Sequence, residues 1–321
     1  MPATISVIGL GQLGTAFVSA LSKYNDQITV QAYDPDRGKF ARLMELGILK
    51  TSEMNLPSVV NNATLLVDCS PYSAVKQNLA YYAGNLPAGS IYLCCAPNKQ
   101  KLSAEFESEE KSKISFVGLA MTFNLEKQRT ILPKKIFSDK DLFENASIGV
   151  SFSKGADETV VRKAFDLIAL LGAKGILMDH HEADLTEDRV YINPLLQAAV
   201  TLTAASETGW LEASQFSGYA FTQLAAISGV ESTNDLAEIL LDRPEGALRW
   251  LSASRDSAKE LEKSISSGDK SSLLDHFISL EKTRTEFLKR YGTGGVQTLN
   301  QNRISESFIQ KIMGVFSRRN G

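Results

Sequence analysis

Ile5-Ser6-Val7-Ile8-Gly9-Leu10-Gly11-Gln12-Leu13-Gly14 is an apolar run that breaks into a G-x-G-x-x-G turn, and its reading decides the fold. Thr15 to Leu21 suits a helix, Ile28 to Tyr33 reads as a second strand, and Asp34 closes that strand 20 residues past Gly14. In a dinucleotide site the first glycine makes the tight turn, the second lets backbone approach the pyrophosphate, and the third lets helix pack on strand. The acid ending the second strand takes the ribose hydroxyls. Glycines alone also punctuate ordinary turns, but here strand, glycines, helix, strand and acid follow in order within 34 residues. This pattern assigns Gly9, Leu10, Gly11, Gln12, Leu13, Gly14 and Asp34 to a cofactor. A carboxylate suits a free ribose diol and repels a 2'-phosphate, so Asp34 favours NAD, while Arg37 leaves NADP open.

At 321 residues the chain has room for two domains. Its composition is 43% hydrophobic and 22% charged, with a net charge of -3, which gives no nucleic-acid footprint; Arg318-Arg319 reads as a solvated tail. Cys69, Cys94 and Cys95 fall in strands or strand ends without metal-ligand spacing, which predicts reduced thiols and a cytoplasmic compartment. Met1 to Thr4 leads directly into the first strand, so no signal segment is expected, and no apolar run is long enough to span a membrane.

Further strands are expected at Leu65–Cys69, Ser90–Cys95, Ile114–Gly118, Ala146–Phe152 and Lys174–Met178, in a doubly wound, mostly parallel α/β sheet of as many as eight strands. Ligands of such sheets bind outside the carboxyl ends of the strands. That rule places Ser70, Pro71, Asn98 and Lys99 near the nicotinamide end of the cofactor. From His180 onward the pattern is helical: 182–209, with Ile192 to Ala205 expected to be buried, then 211–227, 235–241, 246–266, 270–291 and 304–316. Asp269 reads as an N-cap, Gly292 as a helix stop, and Gly292-Thr293-Gly294-Gly295 as a hinge. The expected domains are 1–179, a Rossmann domain, and 180–321, an all-helical domain.

Several segments together carry a family resemblance: the glycine turn; Asp68-Cys69-Ser70-Pro71; Pro87 to Lys99; Phe116-Val117-Gly118; Met178-Asp179 with Asp184 and Pro194; Ser217-Gly218-Tyr219; and Ser267-Gly268-Asp269 with Arg284 and Phe287. Through them the chain resembles the prephenate and arogenate dehydrogenases, to about residue 290. The resemblance implies a 6-phosphogluconate dehydrogenase-like architecture, a homodimer formed through the C-terminal helices, and a small-molecule substrate held between the domains. It also exposes departures. The histidine base expected after the Phe116 strand is Ala120, followed by Met121 in place of proline. The assisting serine is Pro97, although the lysine two residues on survives as Lys99. Family histidines fall on Ala183, Ile192 and Leu195, and the arginine-bearing segment reads Ser217-Gly218-Tyr219-Ala220-Phe221-Thr222-Gln223-Leu224. No histidine occurs between residues 1 and 179, so loss of the base does not depend on register. A dicarboxylate left unpaired in a pocket is costly, which argues against prephenate as substrate.

The remaining candidates for acid, base or anchor are Lys99, His181 with its neighbour His180, and Asn193. Asn98, Thr122, Asn124, Arg189 and Tyr191 are expected substrate contacts, Arg189 and Asn193 sharing a helix face. A solvated lysine is the plain alternative for Lys99, and an ion pair with Asp188 or Glu187 for Arg189. No metal site is expected. These readings lead to an NAD(P)-dependent oxidoreductase acting on a small molecule other than prephenate. Its alternatives are an imine or 2-oxo acid reductase, a prephenate or arogenate dehydrogenase with a shifted base, and a nucleotide-binding sensor or scaffold whose catalytic groups have decayed.

Overall fold

The computed structural model describes residues 3–50, 55–109, 113–124, 140–153, 155–206, 209–218, 221–222, 224–225 and 232–291. The hinge at 292–295, the helix expected at 304–316, the Arg318-Arg319 tail, Tyr219, Ala220 and Gln223 lie outside the described residues.

The described residues fall into two compact units, one of residues up to 187 with 232–242, the other of 188–225 with 243–291. The first is built on a sheet of seven strands in the order β2-β1-β3-β4-β5-β6-β7, where the sequence allowed up to eight. These are β1 Thr4–Ile8, β2 Thr29–Tyr33, β3 Leu65–Asp68, β4 Ile91–Cys94, β5 Ser115–Ala120, β6 Ser147–Phe152 and β7 Lys174–Asp179. The first five pair in parallel, and their near-continuous apolar runs are what a sheet covered on both faces requires. Helices α1 Gln12–Leu21, α2 Arg37–Glu45, α3 Leu56–Asn61, α4 Tyr72–Asn85, α5 Lys99–Glu109 and α6 Glu158–Leu170 are interleaved with the strands. The sequence reading left α3 and α5 unassigned. Helix α5 is mostly polar and buries only a narrow stripe through Leu102 and Phe106, one turn apart; Phe106 stacks on Tyr92 of β4 at 5.0 Å.

Strand β6 runs antiparallel to β5, and β7 follows β6. β7 therefore ends at the amino end of β5, where the His180 ring stands edge-on to Phe116 at 5.4 Å. Helix α7, His180–Glu187, runs back from there, and its last residue reaches Lys99 at the carboxyl end of β4. Helix α10, Thr233–Asp242, also packs in this unit, against α4.

The second unit begins with a π-helical segment, Asp188–Ile192, which breaks the single helix expected over 182–209. It continues as α8 Asn193–Ala205 and α9 Trp210–Ser214, then α11 Pro244–Ser266 and α12 Lys270–Tyr291. Asp269 caps α12 by accepting from the Ser272 amide at 3.0 Å, as expected. The stretch Ile192 to Ala205 is not buried throughout: Ile192, Leu195 and Ala198 are, but Val200 is 54% exposed.

Two glycines fix how α1 sits on β1. Gly9 has φ +82° and a Cβ there would lie 2.7 Å from the Ser70 nitrogen, while a Cβ on Gly14 would fall on the Gly9 carbonyl. Gly14→Ala should therefore lower unfolding stability by about 3 kcal/mol through overpacking, read as the urea midpoint; an unchanged midpoint would show that the contact is not tight.

Candidate functional site

Helices that follow the strands of a parallel sheet present their first amides at its carboxyl edge, and those amides have no partner within the helix. In the sheet unit several helix ends, at that edge or away from it, carry an acidic or amide side chain as acceptor. Asp36 caps α2 through the Gly38 amide at 2.9 Å, Asn55 caps α3 through Ser58 at 2.8 Å, and Asp157 caps α6 through Thr159 at 2.7 Å. Two caps come from far along the chain. Asp235 of α10 accepts from the Ser73 amide of α4 at 2.8 Å, and Asp184 of α7 accepts from the Lys99 and Gln100 amides of α5 at 2.7 and 3.1 Å. Helix α1 differs: its N-cap is Gly11, without a side-chain cap and with no acid in the first turn. A Cβ on Gly11 would meet nothing within 4 Å among the described residues. Helix N-termini attract anions through their free amides and dipole.

The other motif residues support that end. Leu10 donates its amide to Asp34 Oδ2 at 2.7 Å, Leu13 packs on the core, and Gln12 is exposed. Asp34 Oδ1 accepts from the Asp36 amide at 2.9 Å, and Lys39 Nζ lies 3.2 Å from Oδ2. Arg37 is the exposed first residue of α2. Ser70 donates its amide to Asp68 Oδ1 at 3.0 Å, and Pro71 stands at the N-cap of α4. Asp68 is buried, which raises its carboxyl above the usual range despite hydrogen bonds from Ser70 and Tyr92. Cys69 and Cys95 follow adjacent strands with their sulfurs 3.8 Å apart, as free thiols; burial pushes the Cys69 thiol well up.

The polar residues expected at the nicotinamide end are held by the protein itself. Asn98, in the left-handed region at φ 59°, gives its amide to the Ile239 carbonyl at 3.0 Å and to Tyr72 Oη at 3.3 Å. Lys99 is fully buried rather than solvated, its Nζ between the Ala96 carbonyl at 3.0 Å and Glu187 Oε1 at 2.5 Å. Asp242 gathers Tyr72, Lys76 and Lys101; burial would raise its carboxyl, but the hydrogen bonds from Lys101, Lys76 and Tyr72 outweigh it and bring it to about 2. Thr122 donates to the Ser147 carbonyl at 2.6 Å and Asn124 to that of Glu144 at 2.7 Å, so both brace the end of β5. Ala120 is half-buried there, and Met121 packs on the core.

His181 is exposed. His180 is the buried member of the pair, with Nδ1 2.9 Å from Ser151 Oγ and Nε2 3.3 Å from Ser153 Oγ. Ser151 donates onward to the Gly118 carbonyl, so Nδ1 carries the proton. In the helical unit, Arg189 is exposed, its guanidinium 5.9 Å from the Trp250 ring centre. Asp188 pairs instead with Arg243 and Arg249. Tyr191 is half-buried, and Asn193 Oδ1 accepts from Gln197 at 3.2 Å. Phe221 rests on Trp210 at 5.1 Å. Sequence reading gave no site role to Asp184, Asp235 and Asp242, whose partners lie 85, 162 and 170 residues away and leave no local signature. Among the described residues no group of His, Cys, Asp or Glu could hold a metal ion. No described helix is long and apolar enough to cross a membrane.

A seven-stranded, mostly parallel sheet with flanking helices and a helical unit define a Rossmann-like fold. No family model matches the chain. Among solved structures it is similar to prephenate dehydrogenase from Aquifex aeolicus, crystallised with hydroxyphenyl propionate and NAD+, at 15% identity and a TM-score of 0.76 over 89% of this chain and 99% of that one. It is also similar to Synechocystis arogenate dehydrogenase, at 15% identity and a TM-score of 0.67 over 88% of this chain and 99% of that one. At such identity the likeness establishes the shared fold, and the resemblance read from the sequence holds at that level.

Burial holds the His180 ring below its usual pKa, against the pull of Asp184 and Glu107. The unfolded chain then takes up the proton first, so stability should be full above about pH 6.5 and decline as pH falls below it. His180→Asn, which keeps a donor toward Ser151, should flatten that decline in urea melts across this range; an unchanged slope would remove His180 as its cause.

Proposed function

We propose that this chain is an NAD(P)-dependent oxidoreductase acting on a small carbonyl or imine compound other than prephenate. The observation that carries the reading is the glycine turn from Gly9 to Gly14 between β1 and α1, with Gly11 at the N-cap of α1 and no acid in its first turn. A nicotinamide dinucleotide bound there would supply the hydride, with the turn from Gly9 to Gly14 and the α1 amides holding its phosphates. To the buried ion pair of Lys99 and Glu187, at the carboxyl end of β4, we assign the role that the absent histidine leaves open. Prephenate is disfavoured because the resemblance puts Ala220 and Leu224 at the positions of its two arginines, where charge-assisted donors would be needed.

A second reading, a nucleotide-binding sensor without catalysis, is favoured by one observation. Asn98 and Tyr72, the neutral polar groups best placed to meet a substrate, are committed to Ile239 and Asp242. Turnover separates the two: a reductase screen of 2-oxo acids and imines with NADH and NADPH gives activity under the first and binding alone under the second.

Pairing of two chains through the helical unit is part of the proposal, supported by exposed Phe277, Ile278 and Phe287 on α12. Light scattering should give twice the 35.0 kDa chain mass; a monomer at micromolar concentration would contradict it. Gly11→Val places a branched side chain in the open space before α1. It should abolish nucleotide binding in calorimetry while leaving the melting temperature within about 3 °C; retained binding would sink the assignment of the turn.

A further inference from the structure

This inference rests on the dinucleotide reading of the turn and concerns which dinucleotide it takes. The rule that an acid at the end of the second strand selects NAD presumes a carboxylate whose oxygens are open to a ribose diol. Those of Asp34 are engaged by the protein. Oδ2 accepts from the Leu10 amide at 2.7 Å, Oδ1 accepts from the Asp36 amide at 2.9 Å, and Lys39 Nζ sits 3.2 and 3.3 Å from the two. The Asp34 side chain is 6% exposed and that of Lys39 44%, so this corner presents an ammonium to solvent.

The surrounding charges point the same way. Asp34, Asp36, Arg37 and Lys39 sum to zero, where the acid alone would leave a negative corner. Asp36 is tied to the Gly38 amide as the cap of α2, and Arg37 opens that helix with its side chain in solvent. We infer that Lys39 is a specificity-determining residue that makes this a site for a 2'-phosphorylated dinucleotide. The ammonium meets the 2'-phosphate in charge-assisted hydrogen bonds, and Asp34 serves as a brace that fixes the Leu10 amide and Lys39. The expectation from Asp34 alone, NAD, is thereby reversed in favour of NADP.

Two fragments isolate the contact: adenosine 5'-monophosphate, and adenosine 2',5'-bisphosphate, which adds the 2'-phosphate alone. Calorimetric titration of the full chain should show the bisphosphate binding at least about tenfold more tightly, with the margin shrinking as salt is raised. Lys39→Gln should reduce that margin to about twofold without weakening the monophosphate, and Lys39→Arg should keep most of it. Equal or tighter binding of the monophosphate by the unsubstituted chain overturns the inference, as does a Lys39→Gln variant that loses both fragments alike. If neither fragment, NADH nor NADPH binds, the dinucleotide reading itself falls, a result distinct from lost discrimination. Lys39 is half-exposed, and a thermal melt verifies that the variants fold.

Discussion

The first amides of a helix have to be satisfied, and a parallel sheet brings several sets of them to one edge. That constraint governs the sheet unit. Asp184 and Asp235 reach back across the chain to cap α5 and α4, and in doing so they fix α7 and α10 to the sheet. Lys99 paired with Glu187, and Asp242 with Lys76 and Lys101, reinforce the same two attachments. Helix α1 instead carries Gly11 at its N-cap and no acid in its first turn, and to this end we assign the phosphates of the proposed nucleotide.

Much of the fold was legible because its signals are local. The apolar run ending at Gly9, the spacing to Gly14 and the acid at position 34 specify a βαβ unit through backbone sterics within a few residues. The capped helix from Lys270 was equally plain, its start marked by Asp269. Helix α5 was not, because its apolar stripe is narrow and its cap arrives from Asp184, 85 residues on. The reversal of β6 also escaped, since an antiparallel buried strand carries the same apolar run as a parallel one, and it moved the histidine pair to the amino end of β5.

At the candidate site, sequence identified which residues gather but not what holds them. Asn98, Lys99, Thr122 and Asn124 do lie along the ends of β4 and β5, yet each is spent on a protein partner. Asp34 is the sharpest instance. Its position was predicted, whereas its commitment to the Leu10 amide depends on how the turn closes, and its cover by Lys39 on how α2 starts. A motif names the residue at a position; hydrogen-bond accounting decides whether its lone pairs are available.

The central claim, that the Gly11 end of α1 receives the nucleotide, is tested most directly by amide chemical shifts of the isotope-labelled chain titrated with NADPH. The account predicts the largest shifts at Gly11, Gln12 and Leu13, with Ser73, Lys99 and Gln100 little changed because their amides are held by Asp235 and Asp184. Shifts centred on the α4 or α5 amides, or none at Gly11 to Leu13, would contradict it.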